Sequence, residues 1–201
     1  MNRSPLLPGS LMLAPLLGAS DSLIKAASLW LASLLVAVLY GTSSRVLKPW
    51  LNTSLRWPAQ ALLAAASISL VSLALQAWSW ELQQALGLYL TVLGAQCLAL
   101  EHLGFFRPGG LRENVHLFAG FGILSICLGL LRELLANGTL FAHLQWWTGS
   151  ATPGPVRVFA ATSGLHLAGL IPGAFILLGL LLALKQAWPL RPTSHRELQR
   201  K

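Results

Sequence analysis

Long apolar runs dominate this chain and limit what it can become. A bilayer core about 30 Å thick takes about 20 apolar residues per helix. Four stretches read plainly as such segments: 23–40, 58–80, 115–135 and 165–187. In lipid only helices and closed barrels satisfy their own backbone groups, so the runs predict membrane-spanning helices. Composition agrees. The chain is 55% apolar and 10% charged, where a soluble domain carries roughly a quarter charged residues. We read residues 1–201 as a single polytopic, all-α membrane domain. The 58–80 stretch opens at Trp57-Pro58 and closes at Trp78 and Trp80, and tryptophan at both ends is an interfacial anchor pattern.

The first residues imitate a secretory signal, with Arg3 before an apolar run that ends in Gly18-Ala19-Ser20. Pro5, Pro8 and Pro15 break that run, and more apolar segments follow. The stretch therefore reads as retained membrane structure.

Two further stretches are irregular. The 7–20 stretch holds Pro8, Gly9, Pro15 and Gly18, and the 86–100 stretch holds Gly87, Thr91, Gly94 and Gln96. Each precedes two regular stretches. The chain thus reads as three segments plus three: repeat one about 7–80, repeat two about 85–187. Three spans per half force the second half to run inverted. Interrupted segments at corresponding positions of two halves point to a site near the midplane. Leu17-Gly18-Ala19 and Leu93-Gly94-Ala95 form a faint echo between the halves.

Charge sets the expected orientation. With six crossings and an inside N-terminus, the inside regions hold Arg3, Arg45, Lys48, Arg56, Arg107, Arg112, Lys185, Arg191, Arg196, Arg200 and Lys201. These are 11 of the 14 basic residues. The positive-inside rule then places both termini in the cytoplasm. The net charge of +8 does not imply nucleic acid, because the basic residues form no stripe with interleaved aromatics. The 137–163 loop lies outside, with Trp146-Trp147 resting at the headgroups. The basic tail 188–201 is expected to carry no fold.

Few residues promise chemistry. Cys97 and Cys127 lie in apolar stretches and form no metal-binding CxxC, so each reads first as a small buried hydrophobe. Cys97 sits in an irregular segment, and thiolates suit iron–sulfur clusters, but one thiol holds no cluster alone. Arg132-Glu133 precedes Asn137-Gly138, which suggests structural capping at a helix end. Glu101-His102 closes the fourth segment, and His116 and His166 stand near segment ends without metal-ligand spacing. Pro172 should kink the last segment, with Gly173 allowing close helix approach. No P-loop, GxSxG, HExxH, dinucleotide or flavin-attachment pattern occurs.

Four stretches together resemble a known family. Leu131-Arg132-Glu133-Leu134-Leu135-Ala136-Asn137-Gly138-Thr139-Leu140-Phe141 is similar to the LRE–GxGTLF motif of the E-type membrane protein of the Rnf electron transport complex. Pro172-Gly173-Ala174-Phe175-Ile176-Leu177-Leu178-Gly179-Leu180 resembles its PGAFI–LGL motif, and residues 84–97 resemble LGIF–TNC. Leu13-Ala14-Pro15-Leu16-Leu17 resembles LCPLL. The matches keep their order along nearly the whole chain.

The resemblance implies a membrane component of an ion-translocating ferredoxin:NAD oxidoreductase, with a further role in keeping the redox sensor SoxR reduced. It implies partners among the complex's A-, B-, C-, D- and G-type proteins, above all the A-type sister protein, within the lipid bilayer. It implies a [2Fe–2S] cluster shared with that sister protein, with Cys97 as this chain's cofactor-binding and metal-ligating residue. No flavin or nicotinamide is expected here. The chain departs from the pattern at Ala14, where the family has Cys, and at Gln96, where it has Asn. The loop after Phe141 is also shorter. A related component of the sodium-pumping NADH:quinone reductase is the near alternative. A small inverted-repeat solute transporter and a redox-inactive membrane scaffold are the other classes.

Overall fold

A computed structural model of the chain describes residues 18–52, 55–102, 111–148, 156–157 and 166–187. Within them, α1 spans Leu23–Leu47, followed by a 3₁₀ turn at Lys48–Trp50. α2 is Arg56–Trp78, α3 Trp80–His102 and α4 Leu111–Asn137. A two-residue strand β1, Thr139–Leu140, pairs antiparallel with β2, Val156–Arg157. Between them lies a single turn, α5, Gln145–Thr148. α6 is His166–Gly169, and α7 is Ile171–Ala187. The described chain is nearly all helical.

Four helices, α1 to α4, are long and apolar enough to cross a membrane, and α7 adds a shorter apolar helix. The 25 residues of α1 reach about 37 Å at 1.5 Å per residue, beyond a bilayer core. α1 lies at the centre, packed against α2, α3 and α4, while α4 also packs against α6 and α7. Large apolar side chains such as Leu35, Leu62, Leu73, Ile123 and Phe175 face outward. Around a spanning bundle that surface belongs to lipid or to neighbouring proteins.

Local chemistry explains the boundaries. Ser79 alone joins α2 to α3. Its N–H donates to Leu75 O at 2.8 Å, closing α2, and its Oγ accepts from Leu82 N at 3.3 Å, opening α3. One serine thus serves as C-cap and N-cap. Trp78 and Trp80 beside it are exposed, as are Trp50 and Trp57 at the other end of α2. At the end of α4, Gly138 adopts φ 62° and donates to Leu134 O at 3.1 Å. That left-handed conformation is cheap only for glycine.

One expectation of the fold needs correction. The 86–100 stretch is not interrupted: α3 runs unbroken for 23 residues. Its glycine and threonine are absorbed by packing. A side chain at Gly94 would collide with Ile68 of α2, so the glycine sets the α2–α3 approach. Thr91 Oγ1 donates to Leu88 O at 2.6 Å, within the helix. The break lies instead in the 165–187 stretch, where helix stops at Gly169 and restarts at Ile171. Pro172 has no N–H to continue the ladder. A Cβ at Gly173 would meet the backbone of Leu167 and Ala168, so only glycine lets the two pieces sit this close.

The tryptophans after β1 pack onto α1. Trp147 Nε1 donates to Ser28 Oγ at 2.9 Å, and Lys25 Nζ lies 5.6 Å from the Trp146 ring centroid. Residues 7–17, with Ala14, and the tail 188–201 lie outside the described residues.

Candidate functional site

The sequence-predicted residues fall at two places. Cys97 is on the buried stripe of α3. Leu82, Leu86, Leu90, Leu93, Cys97 and Leu100 recur at helical spacing and are all buried. That stripe turns the thiol into the chain's own bundle and leaves it 5% exposed. Glu81, Gln84, Leu88, Thr91 and Ala95 occupy the opposite, exposed face. Beside Cys97 is a cavity of about 20 Å³ lined by Ser33 of α1, Leu93, Gln96 and Leu100 of α3, and Phe118 and Phe121 of α4. That is room for about one water.

Trp30 closes the same α1–α4 contact. Its Nε1 donates to Phe118 O at 3.0 Å, and its ring occupies the space that a side chain at Gly122 would need.

A [2Fe–2S] cluster takes four ligands. Among the described residues, no three His, Cys, Asp or Glu side chains come together. Cys127, expected to be buried, is exposed on α4, and does not join Cys97. The described residues offer one thiol at Cys97 and not the ligands of a whole cluster.

The second place is Arg132-Glu133, which the sequence marks only as lying near the end of its own helix. Both residues are buried, at 2% and 0% exposure. Arg132 Nε donates to Ala168 O at 3.1 Å, and Nη2 donates to Gly169 O at 2.9 Å and Leu170 O at 3.4 Å. These carbonyls end the broken helix α6. Nη1 donates to Ser20 Oγ at 3.0 Å. Glu133 Oε2 accepts from Leu23 N at 2.8 Å, at the start of α1, and Oε1 accepts from Ala142 N at 2.7 Å. A cation therefore sits at a helix C-terminus and an anion at a helix N-terminus, as the helix dipoles favour. Adjacent residues of α4 thus hold the last segment, the first described residues and the loop after β1 together.

At another end of the bundle, Glu101 forms an ion pair with Lys48, Nζ to Oε1 at 2.5 Å. Gln60 Nε2 donates to the same oxygen at 3.4 Å. His102 is exposed and lies against Trp57, ring centroids 5.4 Å apart. The sequence marks Glu101 only as a helix end. Its partners come from the 3₁₀ turn and α2, which spacing along α3 cannot reveal.

Residues 1–182 match the Rnf-Nqr family, described as 'Rnf-Nqr subunit, membrane protein'. The chain belongs to the Rnf-Nqr family. Curated relatives extend the match. The chain is 38% identical over 179 residues to the E-type protein of the ion-translocating oxidoreductase complex of Pseudomonas paraeruginosa, covering 86% of this chain and 75% of the relative. It is 32% identical over 190 residues to the protein of that name from Thioalkalivibrio sulfidiphilus, covering 92% and 83%. The Pasteurella multocida protein of that name is 32% identical over 180 residues, covering 86% and 80%. The Arg132-Glu133 latch, Cys97 and the Pro172-Gly173 break all fall within the Rnf-Nqr match.

Proposed function

We propose that this Rnf-Nqr chain is the E-type component of an ion-translocating oxidoreductase complex, and helps carry electrons across the membrane core with coupled ion movement. The observation that carries this reading is its likeness to relatives of that name over three quarters or more of their length. The fold supports it. The chain has apolar spanning helices and a semi-polar face on α3 turned away from its own bundle. Such a component works with partners, here the other Rnf-type proteins and above all a sister protein of the same family.

Six spans in two inverted repeats, with both termini cytoplasmic in a bacterial inner membrane, form part of the same reading. The basic bias supports it, and it puts the Lys48–Glu101 end on the cytoplasmic side and Arg132 on the far side. Cys97 is the thiol this chain would contribute to an iron–sulfur cluster shared between two proteins. Bound, such a cluster would supply one-electron transfer. The chain's own part is to hold that thiol in a buried pocket with Phe118, Phe121 and Leu100.

Native membrane vesicles test the reading. Deleting this chain should abolish redox-driven ion transport and release the remaining membrane components from one another. Wild-type transport after deletion, or a chain that purifies from native membranes as a stable lone monomer, would overturn it.

A further inference from the structure

Basic side chains of the bundle differ in what they are spent on. Lys25 pairs with Asp21 at 2.6 Å, and Arg132 donates to backbone carbonyls and Ser20. Three more cations gather where α1 gives way to α2. Lys48 pairs with Glu101. Arg45, one turn earlier on α1, and Arg56, the first residue of α2, are both exposed. Neither makes an ion pair or a side-chain hydrogen bond among the described residues. The start of α2 adds to the imbalance. Its first turn holds no acidic residue, so Arg56 stands at the positive end of a helix dipole with nothing beside it to offset the charge. With the Glu101 charge spent on Lys48, this corner is left with two unbalanced guanidinium groups.

The same corner is apolar beneath its charges. Lys48, Arg56 and Gln60 border a shallow cleft walled by Leu47, Leu51 and Leu63. It encloses only about 10 Å³, too little to swallow a ligand whole, so whatever binds must rest on its rim. Trp50 and Trp57 stand beside it, 86% and 63% exposed, and tryptophans at the end of a spanning helix lie at headgroup level. Farther along α2, Leu62, Leu70 and Leu73 are exposed. Positive charge therefore meets open apolar surface at the water–lipid boundary.

The geometry points to this corner between α1 and α2 as a binding site for one anionic phospholipid, with Arg45 and Arg56 on the headgroup phosphate and the acyl chains against the exposed apolar surface of α2. Guanidinium groups match phosphate oxygens in a planar fork, and basic groups just outside a spanning helix attract anionic headgroups. Lys48, 39% exposed and held by Glu101, lends the site charge without leaving its partner. A free phosphate would meet the same two arginines, but it has no use for the tryptophans and leucines that adjoin them. A zwitterionic headgroup would bring a further cation to a corner already positive. An anionic lipid satisfies both halves of the surface at once.

The test uses the native assembly purified through this chain in mild detergent and stripped of lipid. Phosphatidylglycerol or phosphatidylcholine is titrated in, and native mass spectrometry counts the lipid that leaves with this chain. Wild type should hold one phosphatidylglycerol about tenfold more tightly than phosphatidylcholine. Arg45→Gln and Arg56→Gln should each weaken phosphatidylglycerol about fivefold, and the pair about thirtyfold. Arg45→Lys with Arg56→Lys should keep most of the affinity, since the charge remains. Unchanged phosphatidylglycerol binding in the paired Gln variant overturns the proposal, as does equal binding of the two lipids by wild type. Displacement of the lipid by inorganic phosphate alone marks a free-phosphate site and overturns it too. Should the paired Gln variant fail to assemble, wild type decides the matter by its salt dependence: raised NaCl should bring phosphatidylglycerol down to the level of phosphatidylcholine, and a preference that salt leaves intact overturns the charge-based site.

Discussion

Glu133 Oε2 accepts the backbone N–H of Leu23 at 2.8 Å, across 110 residues of sequence. The carboxylate near the end of α4 thereby completes the first turn of α1, where an N–H has no partner inside its own helix. Its neighbour Arg132 does the reverse for α6, satisfying carbonyls left free by the break before Pro172. In lipid, where water is not at hand to fill such gaps, these bonds decide whether a broken segment is tolerated.

Arg132→Ala should therefore destabilise the chain by about 3 kcal/mol or more, since each orphaned buried acceptor costs about 1–3 kcal/mol. Arg132→Lys should recover only part, because a point charge cannot fork to Ala168, Gly169 and Ser20 at once. Thermal unfolding in mild detergent measures both, and equal melting of Arg132→Lys and wild type would refute the fork.

Trp30 and Gly122 form a matched pair. The indole Nε1 reaches Phe118 O at 3.0 Å through space that a side chain at residue 122 would fill. Gly122→Ala should cost about 1–3 kcal/mol, the usual range for overpacking. In a Trp30→Phe background the smaller ring leaves room, so the same substitution should cost clearly less. A double-mutant cycle by thermal unfolding gives the coupling, and additive effects would show that the ring and the glycine do not share that space.

The cysteines differ in access. Cys127 is exposed on α4 and Cys97 is buried. In the detergent-solubilised chain, a maleimide should label Cys127 well before Cys97, and Cys127→Ser should remove the fast phase. Fast labelling of Cys97 would show that its pocket opens.

How much of this is readable from sequence depends on how local each cause is. The helices are legible because their apolar runs are contiguous. Cys97 is legible as buried because its stripe repeats along a single helix. Cys127, equally apolar in context, is not, because only the packing of α1 against α4 decides which face of α4 turns outward. Gly87 and Gly94 suggest a break in α3, yet a glycine inside a helix costs only about 1 kcal/mol against alanine. Ile68, in another helix, fills the space that Gly94 leaves. Pro172 is a sound warning because its lesion, a missing N–H, needs no partner to take effect. The Arg132-Glu133 pair is legible only as lying near a helix end. Its targets are not, since Leu23 and Ala168 are brought there by the fold alone.

Cys97 decides whether this chain takes a direct part in electron transfer. The thiol stands where the resemblance places a ligand, while Ala14 occupies the family's other ligand position. A packing role and a ligand role predict different outcomes for one substitution. As packing, Cys97 lines a cavity of about 20 Å³ with Phe118, Phe121 and Leu100, and Cys97→Ser should cost about 1–3 kcal/mol from burying a hydroxyl. Iron in the assembled complex would then stay unchanged. As a ligand shared between two proteins, Cys97→Ala and Cys97→Ser should both leave an assembled complex with less iron and acid-labile sulfide, and with electron transfer slowed at least tenfold. The expected result is the second. It gains a further arm from Ala14→Cys, which restores a thiol at the family's position and should hold or raise iron content. An assembled Cys97→Ala complex with full iron and wild-type turnover would reduce Cys97 to a packed thiol and leave the chain a structural and ion-handling component.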